Sequence, residues 1–173
     1  MLKLKFQDLN AIAISQGPGS YTGLRIGVSS AKGLCYALNI PLISIDTLQS
    51  MSAQLKITQG VIIPMIDARR MEVFSAQYDA NLNCIQPVAA EIITEESYKD
   101  REDIIHFIGD GASKCKELLN KSNFIFHDEI VYPSAKNMCA LSYEKHKKSD
   151  IVDVAYFEPL YVKDFMIMKK KSS

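Results

Sequence analysis

Tryptophan is absent from this sequence, and so is any surplus of charge. Twenty basic residues balance twenty acidic ones over 173 positions. A balanced chain has no overall field to draw in nucleic acid, so a direct grip on RNA is not the starting expectation. The one notable basic run, Lys169-Lys170-Lys171, reads as a solvated tail. No apolar run approaches the roughly 18 residues that a membrane helix needs. Met1 to Phe6 interleaves lysines with apolar residues, unlike the continuous apolar stretch of a signal peptide. Cysteine is sparse, and Cys35, Cys84, Cys115 and Cys139 form neither a CxxC pair nor a zinc spacing. Three of the four lie in apolar segments, where a free thiol behaves as a small hydrophobe. That usage points to a reducing compartment, and the expected location is the cytoplasm.

Recognisable catalytic machinery is missing as well. His106, His127 and His146 are far apart in the chain, with no HxxxH or HExxH pair, so no metal site and no cofactor are expected. His106, just ahead of Phe107-Ile108, reads as a strand-end residue, and His146, among lysines, as exposed. There is no G-x-S-x-G elbow and no local cysteine-protease signature. Asp67, Arg69 and Glu72 cluster at a strand-to-strand connection, where an Asp–Arg pair stabilising the turn is the plain account. Asp110, between Gly109 and Gly111, reads as a loop or helix-cap residue.

What is present is an alternation of short apolar runs and helical periods. Ala11 to Ser15 reads as a buried strand entering a glycine-rich turn. A helix is predicted from Thr22 to Leu38, because Leu24, Val28, Ala31, Cys35 and Leu38 recur on one face. Asn39 is its stop, and Pro41 prevents continuation. Pro41 to Ile45 is the next strand, and Asp46 or Thr47 caps a helix from Leu48 to Leu55. Strands follow at Val61 to Ile66, Glu72 to Tyr78 and Cys84 to Ile93, the last interrupted at Pro87, which argues for an edge or a bulge. Thr94 to Ser97 resembles a short helix start. A strand at Ile104 to Ile108, a helix at Ala112 to Asn120, a strand at Phe124 to Phe126, a helix at Pro133 to Lys148 and an extended segment at Phe157 to Val162 complete the order. The element order of residues 61–120 contains that of residues 11–55, preceded by a strand meander. Two such units in tandem characterise the actin-like superfamily.

The most informative segment is Gly17-Pro18-Gly19-Ser20-Tyr21-Thr22-Gly23, with glycines that allow close backbone approach between strand and helix. It is not a phosphate loop of a standard kind. Gly23 is followed by Leu24 where a P-loop carries lysine, and the third glycine of GxGxxG is replaced by Thr22. A structural turn, a phosphate site and a partner contact all remain open. The helix that follows carries a stripe of mostly small residues, Ile26, Ser30, Gly33 and Ala37, beside its apolar face. Small side chains admit a second helix closely, either from this chain or from another.

The block from Gly17 to Gly27, with Ala31-Lys32-Gly33-Leu34 and Pro41-Leu42-Ile43 after it, resembles the hallmark of the TsaB (YeaZ) family, a glycoprotease-like (peptidase M22) family. Ile66-Asp67-Ala68-Arg69 with Glu72-Val73, Pro133-Ser134-Ala135 and Glu158-Pro159-Leu160-Tyr161-Val162 fit its second half. The resemblance implies an α/β, actin-like (sugar kinase/Hsp70/actin, RNase H-like) duplicated fold, with residues 1–56 as the remainder of the first subdomain and 57–173 as the second. It also implies a first unit lacking its leading three strands and first helix, hence a shortened chain with an exposed strand edge at Ala11 to Ser15.

For function it implies a non-catalytic scaffold that binds TsaD, with TsaE joining a ternary complex. That complex forms N6-threonylcarbamoyladenosine at position 37 of tRNAs, and the scaffold meets tRNA only through it. Partner contact falls on Tyr21, Thr22, Arg25, Ile26, Ser29, Ser30, Gly33 and Ala37, and the motif loop is Gly17, Pro18, Gly19, Ser20 and Gly23. Two other readings stand beside it: a nucleotide-dependent hydrolase of the same superfamily, and a fragment that self-associates into a homodimer.

Overall fold

The computed structural model describes residues 5–163, so the lysine run at 169–171 lies outside the described residues. Strand β1 (Ile12–Gly17) and strand β2 (Leu42–Asp46) pair in parallel through a helical crossover, α1 (Tyr21–Leu38). The helix begins where Ser20 Oγ accepts from the Gly23 N–H at 3.3 Å, satisfying one orphan donor of the first turn. It ends at Asn39, whose φ of 54° is the left-handed conformation that asparagine tolerates. Val28, Ala31 and Cys35, one to two turns apart, are its buried stripe, and Ala31 and Cys35 pack with Leu42, Ile12 and Ile14.

Asp46 terminates β2 and caps α2 (Thr47–Ser52), its Oδ1 accepting from the Leu48 and Gln49 N–H groups at 2.8 and 3.0 Å. The helix is shorter than the sequence period predicts, ending at Ser52 where the chain turns. It is packed between the two halves of the chain: Met51 joins Ile62 and Ile108, while Leu48 joins Ala76 and Tyr78.

A second sheet has five strands in the order β5-β4-β3-β6-β7. Strands β3 (Val61–Asp67), β4 (Glu72–Tyr78) and β5 (Cys84–Ile92) form an antiparallel meander, and β6 (Ile105–Ile108) and β7 (Phe124–Phe126) add in parallel beside β3. Period-two alternation divides their apolar residues between two faces. Val61, Ile63, Met65, Val73, Ile105 and Phe107 face α3 (Asp110–Cys115), and Ile62 and Ile108 face α2. β5 is an edge strand whose register slips around Pro87, the residue that cannot donate to a ladder. Gly109 is required where β6 turns into α3: its φ is 102°, and an added Cβ would stand 2.1 Å from the Met65 carbonyl oxygen.

Three expectations need correction. Thr94 to Ser97 is not a helix start but leads into a turn at 95–100, closed by a Thr94 N–H to Ser97 Oγ bond and anchored by Tyr98, whose hydroxyl donates to Glu91 at 2.7 Å. The helix read over Ala112 to Asn120 is α3, which starts at Asp110 and gives way to a turn after Cys115. The last helix is divided into a 3-10 turn, Ala135–Asn137, and α4 (Met138–Lys147). Phe157 to Val162, read as extended, forms no strand and bends at Val162; the Leu160 N–H donates to the Gln16 carbonyl at 2.7 Å.

Candidate functional site

Two surfaces meet at the glycine loop. The first is a cleft of about 730 Å3 between residues 18–22 on one side and Asp67, Ala68, Arg69, Asp110 and Tyr132 on the other. Gly17 opens the loop with φ 115°, and a Cβ there would lie 2.9 Å from the Leu160 carbonyl oxygen, so only glycine fits. The Gly17–Pro18 peptide is cis. Across the cleft, Asp110 Oδ1 accepts from the Asp67 backbone N–H at 3.0 Å, tying the end of β3 to the start of α3.

Asp67 does not pair with the Arg69 guanidinium. Lys114 on α3 is its ion-pair partner, and Arg69 contributes only its backbone N–H, at 2.7 Å. Arg69 and Arg70 are both left-handed, with φ 73° and 53°, so the chain reverses sharply into β4 just after that amide. The hydrogen bond from Lys114 is the main reason the Asp67 carboxyl lies below its ordinary value. Glu72 pairs with Lys163 instead of joining an Asp–Arg turn. Asp67, already paired with Lys114, and Asp110 line the cleft opposite the loop together with Arg69, so its wall carries both signs of charge. Among the described residues no group of three or more His, Cys, Asp or Glu side chains is placed to hold a metal ion.

The second surface is the outward face of α1. Tyr21, Thr22, Arg25, Ile26, Ser29, Ser30, Gly33 and Ala37 are all exposed. Ile26 is 63% exposed, and Tyr36, on the same face, is 86% exposed. Tyr36 was not among the expected contacts, although its place three residues after Gly33 puts it on the stripe. Gly33 discriminates between the two uses of small residues. A Cβ built there meets nothing within 4 Å, so no element of the described chain packs on it.

The structure also brings together residues that the sequence kept apart. His106 on β6 is buried, and its Nδ1 lies 2.9 Å from His127 Nε2, with the rings stacked at 5.2 Å. His106 is therefore mid-strand and partnered. Burial first, and then the neighbouring imidazole, hold its pKa below the usual value. Of the four cysteines only Cys35 and Cys115 are buried; Cys84 and Cys139 are exposed, so two rather than three serve the core, and all are free thiols. No helix among the described residues is long and apolar enough to cross a membrane.

Residues 1–171 match the family model described as TsaD: tRNA N6-adenosine threonylcarbamoyltransferase. The chain is 30% identical over 172 residues to the tRNA threonylcarbamoyladenosine biosynthesis protein TsaB of Escherichia coli (strain K12), covering 94% of this chain and 74% of that protein. It is 33% identical over 118 residues to TsaB of Bacillus subtilis (strain 168), covering 65% of this chain and 52% of the relative. YeaZ from Pseudomonas aeruginosa superposes with a TM-score of 0.79 at 20% identity, over 91% of this chain and 76% of that one.

Proposed function

The chain belongs to the TsaB (YeaZ) family, within the wider family typified by the threonylcarbamoyltransferase TsaD, and from that premise we propose that it is a non-catalytic scaffold subunit that binds TsaD. The work it supports is formation of N6-threonylcarbamoyladenosine at position 37 of tRNAs, in the cytoplasm. TsaE joins the ternary complex, and tRNA is met only through the complex. Residues 1–56 and 57–173 act as two actin-like subdomains, the first carrying the partner face.

One observation carries this reading: the open face of α1 at Gly33. A glycine inside a helix costs about 1 kcal/mol relative to alanine. Packing within the described chain does not offset that cost. A helix from another protein that approaches over Ser29, Ser30, Gly33 and Ala37, flanked by Ile26 and Tyr36, offsets it. The test is co-purification with TsaD of the same organism. A complex that survives gel filtration for the unaltered chain and is lost for Gly33→Leu supports the reading; no complex with the unaltered chain contradicts it.

The cleft favours a second reading, a nucleotide-dependent hydrolase of the glycoprotease-like kind. Its volume suits a nucleotide, and its wall mixes the carboxylates of Asp67 and Asp110 with Arg69. A thermal shift with magnesium and ATP separates the two, since the scaffold reading predicts none. The same open α1 face suits a homodimer in the absence of partner, which appears as a concentration-dependent elution volume.

A further inference from the structure

Residues 152–161 run back across α1 and are strapped to it. Lys32 Nζ donates to the Ala155 and Phe157 carbonyls, at 3.0 Å each. Val152, Val154 and Phe157 pack with Ala31, Cys35 and Leu42, and Leu160 is held to Gln16 at 2.7 Å. The strap delivers Tyr161 to Arg25. Arg25 Nε donates to the Tyr161 hydroxyl at 3.1 Å, while its Cζ lies 4.2 Å from the centre of the Tyr21 ring. The two tyrosine rings are 5.2 Å apart, so the guanidinium is gripped on one face and by one N–H. Its two Nη groups have no hydrogen-bond partner among the described residues.

Resting on the scaffold reading above, we propose that Arg25, clamped by Tyr21 and Tyr161, anchors an aspartate or glutamate side chain of the protein partner. A free arginine loses rotamer freedom when it docks; here the folded chain has already restricted it, so a partner's carboxylate meets a guanidinium fork held in place. The planar fork matches a carboxylate with two parallel N–H bonds. Beside Arg25 is a notch of about 280 Å3, lined also by Ser29, Lys32, Glu158 and Tyr161, which admits one side chain. Arg25 shares α1 with Ile26 and Gly33, so it borders the small-residue centre as the polar rim of an interface does.

An RNA phosphate is the less favoured anion. Lys32 is occupied with strap carbonyls, leaving Arg25 as a single free cation in the notch among the described residues, and the chain as a whole is neutral, whereas RNA needs cations spread along its backbone. Tyr161 is a positioning residue, acting through Arg25.

Titration calorimetry of the full chain against TsaD tests the clamp, at two salt concentrations and beside a filter-binding assay with tRNA. Arg25→Gln is expected to weaken TsaD binding by roughly 30-fold or more and to flatten its salt dependence. Tyr161→Phe is expected to weaken it less, with the salt dependence retained because the charge remains. Glu158→Gln, which removes a carboxylate lining the notch, tightens binding a few-fold. Thermal midpoints within a degree or two of the unaltered chain show that Arg25→Gln is folded. Equal affinity of Arg25→Gln and the unaltered chain overturns the clamp while leaving the scaffold reading intact. Loss of tRNA affinity with TsaD affinity unchanged overturns it in favour of phosphate. No binding by the unaltered chain overturns the scaffold reading and the clamp with it.

Discussion

The Tyr78 hydroxyl, on the five-stranded sheet, donates to Asp46 Oδ1 at 3.2 Å, and Asp46 ends a strand of the two-stranded sheet. One carboxylate therefore caps α2 and joins the two halves of the fold. Burial pushes the Asp46 carboxyl up despite the two backbone N–H groups and the phenol that favour its charged form. Tyr78→Phe is expected to cost about 1 kcal/mol, the net value of one hydrogen bond. Asp46→Ala is expected to cost about 2–3 kcal/mol, because the cap is lost and a buried hydroxyl is left unpaired. Urea denaturation of both variants measures the ordering; equal losses would contradict the joint role.

His106 gives the stability a pH dependence with a definite sign. Its folded pKa is below the unfolded value of 6.5, so the unfolded chain binds more protons in that interval. The contribution is present above about pH 6.5 and is lost as pH falls through the folded value. Denaturant midpoints measured from pH 5 to 8 are expected to rise with pH, and His106→Gln is expected to flatten that part of the curve.

Phe107 lies in the core between the five-stranded sheet and α3. It is fully buried, stacked on Phe126 at 4.9 Å between ring centres and edge-on to Phe124 at 5.3 Å. Phe107→Ala is expected to destabilise the chain by about 3–5 kcal/mol, the cost of a large aromatic removed from a packed site. A loss under 1 kcal/mol in equilibrium unfolding would mean that the site collapses freely.

Much of the frame was legible in the sequence, because it rests on local chemistry. Asn39 stops α1 as its left-handed tolerance dictates, Asp46 caps α2, and Pro87 marks an irregular edge strand. What escaped was set by distant partners. His106 and His127 meet only because β6 and β7 run parallel in a register that places Phe107 opposite Phe126. Asp67 chooses Lys114 over Arg69 because α3 packs against the end of β3, which no local spacing reveals. Helix lengths were overread at α2 and α3, where apolar periodicity continues into turns that bury the same residues, Leu119 among them. The α1 face was legible as a stripe of small residues, but its openness at Gly33 and the exposure of Tyr36 are three-dimensional facts.

Gly33→Leu separates fold from function. Replacing an open helical glycine by a good helix former is expected to raise stability by about 0.5–1 kcal/mol. The same change places a branched side chain where a partner helix approaches. Stability up with TsaD binding down is the expected pair of results from unfolding and co-purification.

The central claim is that this chain works through the outward face of α1. Calorimetric titration of TsaD into the unaltered chain, and into Ile26→Asp with Tyr36→Asp, tests it most directly. The account predicts a one-to-one complex for the unaltered chain and at least a hundredfold weaker affinity for the double variant, whose two charges would be buried without partners. Equal binding by both would contradict it.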